Sequence, residues 1–195
     1  EYFQFCEDIG AEPLPVVAAG VCCQNSSIGG AGQMGIPHGR NAGIYKSVLN
    51  LIEWANGDPS ESPWAKMRAE AGHPKPFNLE YLGVGNEDLI TPVFEERFTM
   101  IFKAIKEKYP EIQVVGTSGP FSEGPDYVEG WKIASKLGIP LVMSITTNPQ
   151  DGSSTTTIIT TATTVPNPRF TSENMPHISP AKAITSRPPY WRLTT

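Results

Sequence analysis

Apolar positions along the first 142 residues follow a helical period in some segments and form short continuous runs in others. Tyr2, Phe3, Phe5 and Cys6 predict a helix over Tyr2 to Ile9, closed by Gly10, and Glu12 to Val21 reads as a short apolar strand bounded by Pro and Gly. Val48, Leu49, Ile52, Trp54 and Ala55 predict a helix over Tyr45 to Asn56, stopped by Asn56-Gly57-Asp58-Pro59. A long polar loop through Pro76 leads to a strand beginning at Leu79 and ending near Gly85. Val93, Phe94, Phe98, Ile101, Phe102 and Ile105 then mark a helix over Thr91 to Tyr109, with Pro92 in its first turn and Pro110 just past its end. Ile112 to Gly116 is a further strand, Tyr127 to Leu137 a helix closed by Gly138, and Ile139 to Val142 the start of another strand.

Helix and strand therefore alternate four times, which predicts an α/β fold: a parallel sheet with helices packed outside it. Periodicity leaves two architectures open, an open doubly wound sheet and a closed (β/α)8 barrel. Four strands are too few to close a barrel. The stretch Tyr81-Leu82-Gly83-Val84-Gly85-Asn86-Glu87-Asp88 favours part of one, because an apolar strand there runs directly into a carboxylate. In such barrels the chemistry sits at the carboxyl ends of the strands, so Glu87 is the candidate acid and Asn86 its neighbour in the site.

Composition removes several classes of function. A formal charge of −5 gives no basic surface for nucleic acid, and no apolar run approaches the roughly 18 residues of a membrane span. The glycines of Ser26 to Gly43, read as a loop, match neither nucleotide-binding pattern. Cys6, Cys22 and Cys23 read as free thiols rather than a disulfide framework, and His38 and His73, placed in loops, show no metal-ligand spacing. No cofactor and no metal are expected. The start at Glu1, inside a helical pattern, suggests a piece of a longer chain, so the compartment is left open.

The residues Leu79 to Leu89, Glu95-Glu96-Arg97-Phe98 and Phe121-Ser122-Glu123-Gly124-Pro125-Asp126-Tyr127-Val128-Glu129-Gly130-Trp131 resemble the α-L-arabinofuranosidases of glycoside hydrolase family 51. The resemblance covers residues 1 to 142. It implies a (β/α)8 barrel, of which this chain would hold about strands 3 to 6, and retaining hydrolysis of terminal α-L-arabinofuranosyl groups from arabinoxylan or arabinan. It also implies that Glu87 is the acid/base and that Asn86 binds the substrate 2-hydroxyl. A retaining glycosidase needs a second carboxylate, placed about 5 Å from the first, as nucleophile. The family's nucleophile lies in a stretch like Val-Tyr-Leu-Gly-Glu-Tyr-Ala, and its sixth strand ends in one like Asp-Glu-His-Tyr-Tyr. Neither occurs in this chain.

Residues 143 to 195 form a second region, holding 13 Thr and 7 Pro but only 6 charged residues, with no helical or strand period. A Thr/Pro-rich linker would have this composition. A shifted reading frame explains it better. The codons of Met143-Ser144-Ile145-Thr146-Thr147, read one base earlier, permit Asp-Glu-His-Tyr-Tyr, and those of Arg169 to Pro176 permit Val-Tyr-Leu-Gly-Glu-Tyr-Ala. The nucleophile codon would then straddle Glu173 and Asn174, and Glu173 itself would be no substitute. This reading makes the chain an inactive fragment with a disordered tail, unpaired edges on its first and last parallel strands and uncovered apolar inner faces. Two other readings stand beside it: a non-catalytic carbohydrate-binding remnant, with Trp54, Trp64 or Trp131 stacking on sugars, although Trp54 and Trp131 lie on helical patterns and read better as packing residues while Trp64 falls in a loop, and another barrel glycosidase such as an endoglucanase. The expected partner is an arabinose-containing polysaccharide or oligosaccharide, with oligomerisation possible for the intact enzyme.

Overall fold

The computed structural model describes residues 1–22, 34–36, 38–121, 123–145 and 156–161. Five helices and five strands lie in these residues, in the order α1 (Tyr2–Ile9), β1 (Val16–Val17), α2 (His38–Asn56), α3 (Pro63–Glu70), β2 (Tyr81–Val84), α4 (Pro92–Lys108), β3 (Gln113–Thr117), α5 (Pro125–Leu137), β4 (Pro140–Ile145) and β5 (Thr156–Thr161). The sheet runs β1-β2-β3-β4-β5 in sequence order. Its first four strands are parallel, with Val16 opposite Gly83, Leu82 opposite Val114, and Thr117 opposite Val142. The carboxyl ends of β1 to β4 therefore share one edge of the sheet, where the loops after each strand emerge.

One core unites the helices with the sheet. Leu82 and Val84 of β2 and Val114 of β3 are buried in the same cluster as Ile52 and Ala55 of α2 and Phe94, Phe98, Ile101 and Ile105 of α4. These α4 positions are three and four residues apart and form one apolar face, which is why α4 lies flat on the strands. Its ends are set locally: the Thr91 hydroxyl accepts the Phe94 N–H at 3.2 Å, Pro92 follows at the first helical position, and Lys106 and Lys108 sit in the last turn.

Below the strands, Phe3 of α1, Trp54 of α2 and Phe77 form an aromatic cluster with ring centroids 5.1 to 5.4 Å apart. The His73 ring stacks on Phe77 at 3.9 Å and lies 2.8 Å from a carboxylate oxygen of Glu7. α1 is thereby fixed to the segment that enters β2.

Four expectations from the sequence are corrected. The Ser26 to Gly43 segment is not loop to its end: α2 begins at His38, which is helical rather than in a loop, so burial of the later turns outweighs the roughly 1 kcal/mol that a glycine costs inside a helix. The polar stretch to Pro76 contains a helix, α3, and Trp64 lies on it. The Ser62 hydroxyl accepts the Ala65 N–H at 3.4 Å, and Pro63 opens the helix. The strand expected over Glu12 to Val21 narrows to Val16–Val17, because Pro13 and Pro15 have no N–H to give a ladder; the Pro15 carbonyl still accepts from Gly83.

The fourth correction concerns residues 143 to 195. β4 runs on through Met143 to Ile145, and Thr156–Thr161 pairs antiparallel with it over six residues, from Pro140 opposite Thr161 to Ile145 opposite Thr156. The outer edge of β4 is thus paired rather than open, and this part of the tail is a strand. Thr and Ile are β-branched and favour extended backbone, and a free strand edge supplies the partner. Cys23, Ser122, Glu173, Asn174 and the frame-shifted stretches beyond Ile145 lie outside the described residues.

Candidate active site

β2 ends at Val84, and Gly85 turns the chain with φ of +97°, a left-handed conformation open to glycine. A methyl group there would sit 2.7 Å from Cγ2 of Thr117 and 3.0 Å from Oδ2 of Asp88. The turn delivers Asn86, exposed, and Glu87, half-buried, to the carboxyl end of the sheet. This is the location expected from the sequence for a reacting carboxylate.

Three side chains hold the loop between β2 and α4. Oδ2 of Asp88, itself buried, accepts the Asn86 N–H at 2.8 Å. The Thr117 hydroxyl, at the end of β3, donates to the Asn86 carbonyl at 2.5 Å and accepts the Gly119 N–H at 3.1 Å. Oδ1 of Asp126, in the first turn of α5, accepts the Ile90 N–H at 2.6 Å. Strand β3 and helix α5 therefore both brace the loop that carries Asn86 and Glu87.

A second structure at the same edge rises from β1. Val21 bridges Gly35 antiparallel, the Cys22 N–H bonds to the Met34 carbonyl at 3.0 Å, and the Ile36 N–H bonds to the Gly20 carbonyl at 2.9 Å. Arg97 of α4, buried, donates from Nε to the Ile36 carbonyl at 3.1 Å and from Nη1 to Glu96 at 2.7 Å. Arg97 thus ties this short ladder to the helix that follows Glu87.

The sequence also offered three tryptophans as candidates. Trp54 is stacked in the aromatic cluster, and Trp131 is buried on α5 with its ring edge against Tyr127. Both are packing residues. Trp64 is partly exposed on α3. Among the described residues no group of three or more His, Cys, Asp or Glu is placed to hold a metal ion, and no helix is long and apolar enough to cross a membrane. A cavity of about 290 Å³ between α1 and the Phe77–Asn78 turn opens at the opposite, amino end of β1 and β2. Asp88, Thr117 and Asp126 were not singled out from the sequence. Their signal was faint: an acid directly after Glu87, a Thr closing an apolar strand two residues before a Gly, and an acid in a helical first turn.

Residues 1–141 match the family model described as the α-L-arabinofuranosidase 1 domain. The chain is 42% identical over 144 residues to an extracellular exo-α-L-arabinofuranosidase of Streptomyces chartreusis, a match covering 73% of this chain and 16% of that protein. It is 32% identical over 133 residues to α-L-arabinofuranosidase 2 of Arabidopsis thaliana, covering 66% of this chain and 18% of that one. The solved structure of the arabinose-bound α-L-arabinofuranosidase MgGH51 superimposes with a TM-score of 0.51 at 33% identity, over 60% of this chain and 18% of that one. The matched stretch spans less than a fifth of the length of each relative.

Proposed function

The chain belongs to the α-L-arabinofuranosidases of glycoside hydrolase family 51, and on that footing we propose that its parallel strands are part of a (β/α)8 barrel in which Glu87 is the acid/base of a retaining hydrolysis. The observation that carries the proposal is the position of Glu87: it follows a parallel strand at the carboxyl edge of the sheet, on a loop braced from the next strand. The sequential order of β1 to β4 supports a barrel over a doubly wound sheet, whose strand order reverses at a switch point.

In this reading the substrate is an arabinose-containing polysaccharide or oligosaccharide, and the bond cleaved joins a terminal α-L-arabinofuranosyl group to its neighbour. Glu87, protonated, gives its proton to the leaving glycosidic oxygen, and as carboxylate then takes one from the water that releases the sugar. Asn86 offers its side-chain amide to the sugar 2-hydroxyl, a bond that strengthens as charge develops on the ring.

The nucleophile that completes this chemistry is not among the residues that resemble the family's pattern. As written, the polypeptide is inactive, and the frame shifted near the Val142 codon accounts for the loss. The deciding experiment is to read the complete gene across the Val142 codon, restore one base, and assay the full-length product on an aryl α-L-arabinofuranoside and on arabinan. Turnover by the full-length restored enzyme, lost in Glu87→Gln, supports the reading. A coding frame without Asp-Glu-His-Tyr-Tyr, or turnover by the chain as it stands, overturns it.

A further inference from the structure

We propose that Asp88 and Thr117 are positioning residues for the Asn86-Glu87 pair, a role that rests on the reading of Glu87 as proton donor. The argument lies in the two peptide planes that flank Asn86. Its N–H belongs to the Gly85–Asn86 peptide and is held by Asp88 at 2.8 Å; its C=O belongs to the Asn86–Glu87 peptide and is held by Thr117 at 2.5 Å. Each peptide is planar, so fixing one atom on each side removes most of the freedom of φ and ψ at Asn86. What remains is the rotation about the Glu87 N–Cα bond and the side-chain torsions of Asn86 and Glu87.

The two holding groups are themselves immobilised. Asp88 is 6% exposed and Thr117 9%. The Thr117 oxygen already accepts the Gly119 N–H, so its hydroxyl hydrogen is directed at the Asn86 carbonyl. Gly85 allows the close approach, because any side chain there would meet both Cγ2 of Thr117 and the Asp88 carboxylate. One side chain of the loop itself and one from the end of β3 thus fix the peptide plane from which Glu87 begins. Proton transfer needs donor and acceptor within hydrogen-bond reach, and a misplacement near 1 Å costs about 100-fold in rate, so this bracing has a kinetic consequence.

The test has two readouts. In the chain as it exists, amide exchange at Asn86 speeds up in Asp88→Ala and returns toward the parent rate in Asp88→Asn, whose carboxamide oxygen still accepts. In the full-length, frame-restored enzyme, Asp88→Ala and Thr117→Val lower kcat on an aryl arabinofuranoside by about 10- to 100-fold with little change in KM. Asp88→Asn and Thr117→Ser, which keep the acceptor and the hydroxyl, recover most of that loss. Variants that lose thermal stability while kcat is unchanged, or a loss of kcat not recovered by the conservative pair, overturn the proposal. If the full-length restored enzyme shows no turnover, the role of Glu87 fails and the positioning role falls with it, even where the exchange data show the bonds.

Discussion

The side chain of Asn56 pairs with both backbone polar groups of Leu79: Oδ1 accepts the Leu79 N–H at 2.7 Å and Nδ2 donates to the Leu79 carbonyl at 2.8 Å. A side-chain amide thus does what a neighbouring strand would do for the residue that leads into β2, and it does so from the last residue of α2. Asn56→Asp keeps the acceptor and turns the donor into a second acceptor facing a carbonyl. It is expected to destabilise the fold by about 1 to 3 kcal/mol, more than Asn56→Ser in the same series, measured by urea denaturation.

Arg68 is the anchor of the segment between α2 and β2. Fully buried, its guanidinium donates to the carbonyls of Trp54, Ala55, Gly57, His73 and Pro74 at 2.7 to 3.1 Å. Burial works against its charge and lowers its pKa, while the carbonyls at the end of α2 favour a cation there. Arg68→Met leaves those acceptors without their donor and is expected to cost about 3 kcal/mol or more. Arg68→Lys recovers only part of it, since an ammonium cannot reach the carbonyls that a planar fork spans.

Acid stability should report on Glu53. Its pKa is held below the ordinary value by the Tyr109 hydroxyl first and by Lys108, whose ammonium lies 2.9 Å away. A carboxylate with a lowered folded pKa contributes stability above its unfolded value, about 4.3. That contribution disappears as pH falls through the folded value. Glu53→Gln should therefore be less stable than the parent at pH 7, with the difference narrowing below about pH 4. Thermal unfolding at a series of pH values measures it, and a gap that stays constant into acid would refute it.

The alternation of α and β was legible because α4 and α5 are long, apolar on one face and bounded by Pro and Gly, and because β2 and β3 are short runs buried against them. The placement of Glu87 after β2 was legible for the same reason: a strand followed closely by a carboxylate is visible without coordinates. α3 was hidden because it is eight residues long and its apolar and charged residues follow no helical period, so its evidence was the Ser62-Pro63 start. β5 was hidden because pairing with β4 depends on an available edge, a property of the fold rather than of Thr156 to Thr161. Asp88 and Thr117 act on a backbone that only the folded loop brings to them.

Gly85 offers a local test of the loop geometry. With φ at +97° and Thr117 and Asp88 against its open side, Gly85→Ala meets both a backbone penalty and a clash. The expected loss is about 1 to 3 kcal/mol. Ala at Gly72, where φ is +98° and nothing stands within 4 Å, should cost less, so the difference between the two variants isolates the clash.

The last prediction separates proton donation from other roles for Glu87. A general acid matters in proportion to how poorly the leaving group departs without a proton. In the full-length, frame-restored enzyme, Glu87→Ala should lower kcat/KM by about 100- to 10,000-fold on arabinan, whose leaving group is a sugar hydroxyl. On an arabinofuranoside with a strongly acidic phenol as leaving group, the first chemical step needs little protonation and its rate should fall far less. The later step, in which Glu87 would take a proton from water, stays impaired, so the phenol should appear as a rapid burst followed by slow turnover. Equal losses on both substrates and no burst would instead make Glu87 a binding or structural residue, and the acid/base would have to be sought elsewhere on the carboxyl edge of the sheet.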